Sequence, residues 1–170
     1  MLRIVSALAL VAVALPATAA ELPARKPGLW EMKMQREGAG MPMPAVQHCI
    51  DASTDKDMAT MFAGMQQQCS KNEVQVTGGK VVVDSVCSFG PMKSTSRAEM
   101  SGDFNAAYTV TVKSNVEGGP MPGPSTMTVE AKWAGPCKPD QKPGDIVMPS
   151  LNMKMNIKDM GGLRGAAPKQ

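Results

Sequence analysis

Hydrophobic and polar residues alternate with a period of two along most of this chain. Over Gly28 to Arg36, Trp30, Met32 and Met34 alternate with Glu31, Lys33 and Gln35. Residues i and i+2 share one face of an extended strand, so this segment reads as a strand buried on one side. The pattern recurs as Tyr108, Val110 and Val112 within Phe104 to Val116, and as Met127, Val129, Ala131 and Trp133 within Ser125 to Trp133. A short extended piece runs to Cys49. Glu73 to Thr77 and Lys80 to Cys87 flank Gly78-Gly79, a hairpin signal. Lys93 to Met100 follows a Gly90-Pro91 turn. Only Ser53 to Gln68 has helical spacing, with Met58, Met61, Phe62 and Met65 at i, i+3, i+4 and i+7. Thr54 and Asp57 resemble a capping box at its start. Gly/Pro-rich stretches over Glu37 to Pro44 and Gly118 to Pro124 read as turns. Strands joined by short turns form an antiparallel meander. The predicted fold is mainly β, with six or seven strands in a curved sheet or partial barrel packed on one α-helix. A two-sheet sandwich is the second choice.

The start of the chain follows another pattern. Arg3 precedes an uncharged apolar run from Ile4 to Leu15, then Pro16 and the small residues Ala17 to Ala20. This is the layout of a secretory signal peptide over 1–20, with cleavage after Ala19 or Ala20. The run is shorter than the roughly 20 residues a membrane-spanning helix needs, and no membrane span is expected. The predicted location is the bacterial periplasm. Residues 21–144 form the predicted β-rich domain. Residues 145–170, with Met148, Met153, Met155 and Met160, read as a C-terminal segment with a frayed, partly disordered end.

Export gives meaning to the four cysteines, Cys49, Cys69, Cys87 and Cys137. An even number in an exported chain reads as disulfides. Cys69 and Cys87 lie symmetrically about Gly78, which favours Cys69–Cys87 and leaves Cys49–Cys137. There is no Cys-x-x-Cys spacing and His48 is the only histidine, so zinc and thioredoxin-type chemistry are not expected. After cleavage, 17 basic residues face 15 acidic ones with the signs interspersed, and no nucleic-acid partner is expected.

Three landmarks sit together in this chain: Pro27-Gly28-Leu29-Trp30, Cys49-Ile50-Asp51 and Trp133-Ala134-Gly135-Pro136-Cys137. With the signal peptide, they resemble a family of exported proteobacterial proteins catalogued as a domain of unknown function. The resemblance covers about Pro27 to Cys137. It implies export, one β-rich domain and paired cysteines, and brings no activity with it.

No enzyme is expected. His48 is the one candidate base, its neighbour Cys49 is expected to be oxidised, and no Gly-x-Ser-x-Gly elbow is present. Asp51, Asp55 and Asp57 suit the positive end of the helix. The leading reading is a non-enzymatic periplasmic binding domain for an apolar small molecule or an envelope protein. Its expected lining is Trp30, Met32, Met34, Tyr108, Val110, Met127, Val129 and Trp133, a set that would equally make a closed core. The alternative comes from 16 methionines against an aromatic content of 4%. Thioethers are soft ligands suited to Cu(I), although methionine also fills irregular cores. Met41 and Met43, joined by Met121 from the similar Gly118 to Pro124 loop and by His48, are the candidate copper ligands. No other cofactor is expected. A structural or assembly factor with neither site is a third class.

Overall fold

The computed structural model describes residues 22–38 and 43–160. The signal segment, Met41 and residues 161–170 lie outside the described residues. Among the described residues, nine strands form one open antiparallel sheet in the order β3-β4-β5-β6-β7-β1-β2-β8-β9. They are β1 (Gly28–Arg36), β2 (Val46–Ile50), β3 (Cys69–Thr77), β4 (Lys80–Phe89), β5 (Met92–Asp103), β6 (Ala107–Glu117), β7 (Gly123–Gly135), β8 (Asp145–Met148) and β9 (Met153–Asn156). Between β2 and β3 lie helix α1 (Ala52–Met65) and a 3-10 turn (Gln66–Gln68), and a short α2 (Ile157–Met160) follows β9.

The period-two segments became strands as predicted, and the mainly β, partial-barrel expectation holds. The sequence reading fell short on strand number. β8 pairs with β2 through Gln47↔Val147 and His48↔Ile146, and β9 pairs with β8, so residues 145–156 extend the sheet. Each of these two strands has only four residues, too few to show a period. They are anchored by Asp145, which is buried. It accepts hydrogen bonds from Asn156 Nδ2 (2.8 Å) and the Lys142 N–H (2.9 Å), and pairs with Lys154. Burial works against this carboxylate, but those donors together hold it below its ordinary pKa.

The start of α1 also differs from expectation. Asp51 is the cap, not Thr54: Asp51 Oδ1 accepts from the Thr54 N–H (2.7 Å), and Thr54 Oγ1 accepts from the Asp51 N–H (2.9 Å). This is the reciprocal capping-box arrangement set three residues earlier, with threonine in the glutamate position. Thr54 is fully buried, so its hydroxyl must be satisfied locally. The N–H of Thr54 is the main cause of the lowered Asp51 pKa. Of the predicted helical stripe, Met58 and Met61 are half-buried, and the side chains of Phe62 and Met65 lie outside the description.

The β4–β5 and β6–β7 turns lie at one end of the sheet, termed the upper end. The β3–β4 and β5–β6 turns lie at the lower end. α1 leaves β2 at the lower end and delivers the chain to β3 at the upper end, six strand positions away. Six spacings across a flat sheet come to about 29 Å. The helix supplies about 21 Å and the 3-10 turn about 6 Å, and the path is also diagonal. The sheet therefore curls, with α1 as a strap across its concave face.

Two disulfides hold this arrangement, Cys49–Cys137 and Cys69–Cys87, the favoured pairing. The Gly78-Gly79 turn, with φ of +58° and +78°, sets a register that would leave the second pair one residue apart. An irregularity between Cys69 and Lys71 absorbs that residue and puts Cys69 opposite Cys87. The two bridges close loops of very different size, with sequence separations of 88 and 18. In the chain-entropy account, the first contributes about 4–5 kcal/mol and the second about 3 kcal/mol. Replacing Cys49 and Cys137 together by Ser should therefore lower unfolding free energy by more than the same change at Cys69 and Cys87. Chemical denaturation of the two variants, compared with wild type, tests that order.

Candidate functional site

The concave face collects every residue predicted to line a binding face. Register places Trp30 opposite Trp133, Met32 opposite Ala131, and Met34 opposite Val129. Tyr108 lies opposite Ala131, Val110 opposite Val129, and Val112 opposite Met127. Beyond them on the same face come Met100 and Ala98 of β5, then Val81 and Val83 of β4. The face is not uniform. At its lower corner Trp30, Ile50 and Ala131 form a closed core, with Met32, Tyr108 and Trp133 packed against it. Toward β4 and the upper end, Val83, Ala98, Met100, Val110, Val112, Met127 and Val129 are only half-buried.

The closed corner holds a polar cluster that sequence reasoning missed. Arg25, in the segment before β1, grips Asp55 of α1. Its backbone N–H and Nε donate to the two carboxylate oxygens at 2.9 and 2.7 Å, and Nη2 lies 2.7 Å from Oδ1. Nη1 reaches the Tyr108 hydroxyl at 3.4 Å. Tyr108 packs on Trp30 with ring centroids 5.3 Å apart, and Trp30 Nε1 donates to the Lys26 carbonyl at 2.8 Å. Arg25 thus ties the start of α1 to the sheet. Nothing in the spacing of Arg25 and Asp55 signals this contact, which depends on a tertiary crossing.

His48 lies beneath this cluster, opposite Trp30 and 1% exposed, and its Nε2 has no hydrogen-bond partner among the described residues. Burial pushes its pKa down to about 4, and the nearby Arg25 charge adds to the effect against Asp55. His48 is therefore neutral at physiological pH. Its neighbour Cys49 is tied up in a disulfide. Of the residues proposed for copper, Met41 lies outside the described residues and the other three belong to different elements. His48 is inside the sheet, Met43 is 39% exposed before β2, and Met121 is 68% exposed in the β6–β7 turn. Both loops are at the upper end, as that idea requires.

A trough of about 220 Å³ opens on the half-buried part of the face. Its walls are Val83, Ser85, Cys87 and Phe89 of β4, Cys69 and Asn72 of β3, and Gln66 from the turn after α1. Its lining is chiefly apolar, and it lies at the upper end beside the Cys69–Cys87 bridge.

The family model described as "Protein of unknown function (DUF3617)" matches residues 25–137. The chain belongs to this family. No curated protein and no solved structure matches it. In this DUF3617 domain, the three sequence landmarks converge on the lower corner. Gly28 pairs with Ile50, Leu29 with both Cys49 and Gly135, and Trp30 with both His48 and Trp133. Gly28 has φ of +130°, and a Cβ there would collide with the Gly135 carbonyl and the Trp133 indole nitrogen. Trp133 Nε1 donates to the Pro27 carbonyl at 3.0 Å, and the Lys26 ammonium sits 3.6 Å from the Trp133 ring centroid. The match ends at Cys137, before β8 and β9. In the DUF3617 fold these landmark residues therefore close a corner, while the trough lies at the other end of the face.

The corner gives a stability signature. An unfolded imidazole titrates near 6.5, and the folded His48 near 4. The unfolded state takes up the proton first as pH falls. The contribution from His48 is thus complete above about 6.5, declines between 6.5 and 4, and levels off below. Over that window the loss is about 3 kcal/mol. Urea unfolding at a series of pH values should show this decline, and His48→Leu should flatten it. A wild-type slope retained in His48→Leu would mean that another group titrates there.

Proposed function

We propose that this protein is an exported, non-catalytic binding domain of the periplasm, and that it holds an apolar small molecule against its concave face beneath α1. One observation carries the reading: the sheet turns a band of apolar side chains toward the strap and leaves it half-covered, with a chiefly apolar trough of about 220 Å³ at its upper end. Ligand sites are concave and mostly apolar, with a few polar groups placed to orient the guest. Ser85, Asn72 and Gln66 stand in that position here. The two disulfides suit an oxidising compartment. A long-chain fatty acid has the shape the trough would take, being narrow and apolar with one polar end.

Native mass spectrometry of the protein recovered from the periplasm of an exporting host, before and after addition of a long-chain fatty acid, tests the proposal. A stoichiometric adduct is expected. Val83→Trp, which fills the trough from its apolar wall, should weaken binding by about tenfold or more, equivalent to about 1.4 kcal/mol. The absence of any organic adduct, or binding unaffected by Val83→Trp, would refute the trough as the site. A Cu(I) adduct in its place would restore the methionine alternative.

A further inference from the structure

The two faces of the sheet differ in charge. Across β4 to β7 and β1, charged residues such as Lys80, Asp84, Arg97, Lys113, Glu130 and Lys33 alternate onto the convex face. Arg36 is the exception among the described residues of these strands. It continues the concave series of Trp30, Met32 and Met34 and stands opposite Met127. The ladder holds one residue further, where the Glu37 N–H donates to the Thr126 carbonyl at 3.0 Å, so Glu37 belongs to the convex face. From Arg36, pairing carries one rung straight across the concave face through Met127, Val112, Ala98 and Val83. Val83, at its far end, is a wall of the trough. The next rung toward the upper end is Ser125, Ser114, Ser96 and Ser85. Their hydroxyls hydrogen-bond in pairs, Ser85 with Ser96 at 2.7 Å and Ser114 with Ser125 at 3.1 Å. The four apolar residues of the first rung are half-buried. Arg36 at its head is exposed and has no ion-pair partner among the described residues.

We propose that Arg36 binds the ionised carboxylate of a long-chain fatty acid whose chain lies along this apolar rung and ends in the trough. The inference rests on the proposed function and gives its guest a charge and a direction. A guanidinium presents a planar fork of N–H donors that fits a carboxylate in bidentate fashion. Arg36 is the one cation on the concave side of these strands, so a carboxylate has a single place there to be neutralised. Ser85, Asn72 and Gln66, at the trough end, carry no charge. Because Arg36 is exposed, the carboxylate keeps part of its hydration, which avoids the cost of burying an ion. Length agrees as well. From Arg36 on β1 to Val83 on β4 is four strand spacings, about 19 Å, the reach of an extended palmitate chain. The serine rung borders this path on its upper side. An alkyl chain is stabilised by leaving water for apolar surface, so it follows the rung below the hydroxyls.

Native mass spectrometry titrations of the processed, oxidised protein with palmitate and with palmityl alcohol test the charge. Wild type should bind the acid about tenfold or more tightly than the alcohol, the effect expected of one charge-assisted contact. Arg36→Gln should abolish that preference by weakening palmitate alone, and Arg36→Lys should retain part of it. Two nitroxide-labelled stearates test the direction. A label near the methyl end should broaden the amide NMR signals of Val83 and Ser85, and a label near the carboxylate those of Arg36 and Met127. Equal binding of acid and alcohol by wild type, or loss of both in Arg36→Gln, would overturn the assignment of Arg36. The reverse broadening pattern would also overturn it, placing the carboxylate beside Ser85, Asn72 and Gln66 while leaving the proposed function standing. Binding of neither ligand would overturn this inference and the proposed function together.

Discussion

The passage of α1 from β2 to β3 constrains the rest of the structure. A connection of 14 helical and three 3-10 residues is too short to cross a flat sheet diagonally from the seventh strand position to the first. Curvature is therefore imposed by chain length, and with curvature comes a concave face. The strap is fixed at both ends by contacts stronger than ordinary packing. At its start, Asp51 and Thr54 cap each other and Asp55 receives the Arg25 guanidinium. Its end passes through the 3-10 turn into Cys69, which is bridged to Cys87 on the neighbouring strand. The Arg25–Asp55 pair is mostly buried, with side chains 13% and 15% exposed. Losing one partner would leave an uncompensated buried charge, which costs more than the intact pair contributes. Such a contact acts chiefly to hold the strap in one place.

The three sequence landmarks make sense in these terms. Pro27 to Trp30, Cys49 to Asp51 and Trp133 to Cys137 are far apart in sequence and adjacent at one corner. Gly28 allows β7 to approach, Trp30 fills the core, and Asp51 starts the strap. Cys137 ties the departing chain back to β2. All of these residues work on closing the lower corner, and the concave face above is left to side chains such as Val83, Met100, Val110 and Met127. The frame and the half-open face are thus separate parts of one sheet.

How far the sequence revealed this depended on how local each feature is. Alternation identified β1, β6 and β7 because each is long enough to show several periods and has one face buried. Symmetry about Gly78-Gly79 identified the Cys69–Cys87 bridge, with the one-residue mismatch absorbed beside Cys69. β8 and β9 were missed because four residues carry no period and because Asp145, a buried carboxylate, reads as a surface residue until Asn156 and Lys154 are brought to it. The helix cap was misplaced by three residues because Thr54 can serve at either end of a capping box, and only burial shows which. The lining set was correctly grouped on one face. Its division into a closed half under Trp30 and an open half under Val110 was not legible, since identical apolar alternation produces both. His48 looked like a candidate base or ligand by elimination. Its place opposite Trp30 is set by pairing between β1 and β2, which composition cannot show.

The methionines follow the same division. Met32 packs against the core at the corner, Met100 and Met127 lie half-buried on the open face, and Met92 and Met121 occupy the upper turns. An unbranched thioether adapts to irregular neighbours where a branched or aromatic side chain would need one fitted pocket. In the corner that plasticity is of little use, and there the larger, rigid Trp30 takes the central position. On the open face, where Met100 and Met127 are half-buried, adaptable side chains fit neighbours of varied shape. Aromatics are few for the same physical reason: a ring that packs well in one arrangement packs badly in others. The placement of Met100 and Met127 on the half-buried face accords with the proposed apolar guest, which requires a surface that can reshape around it.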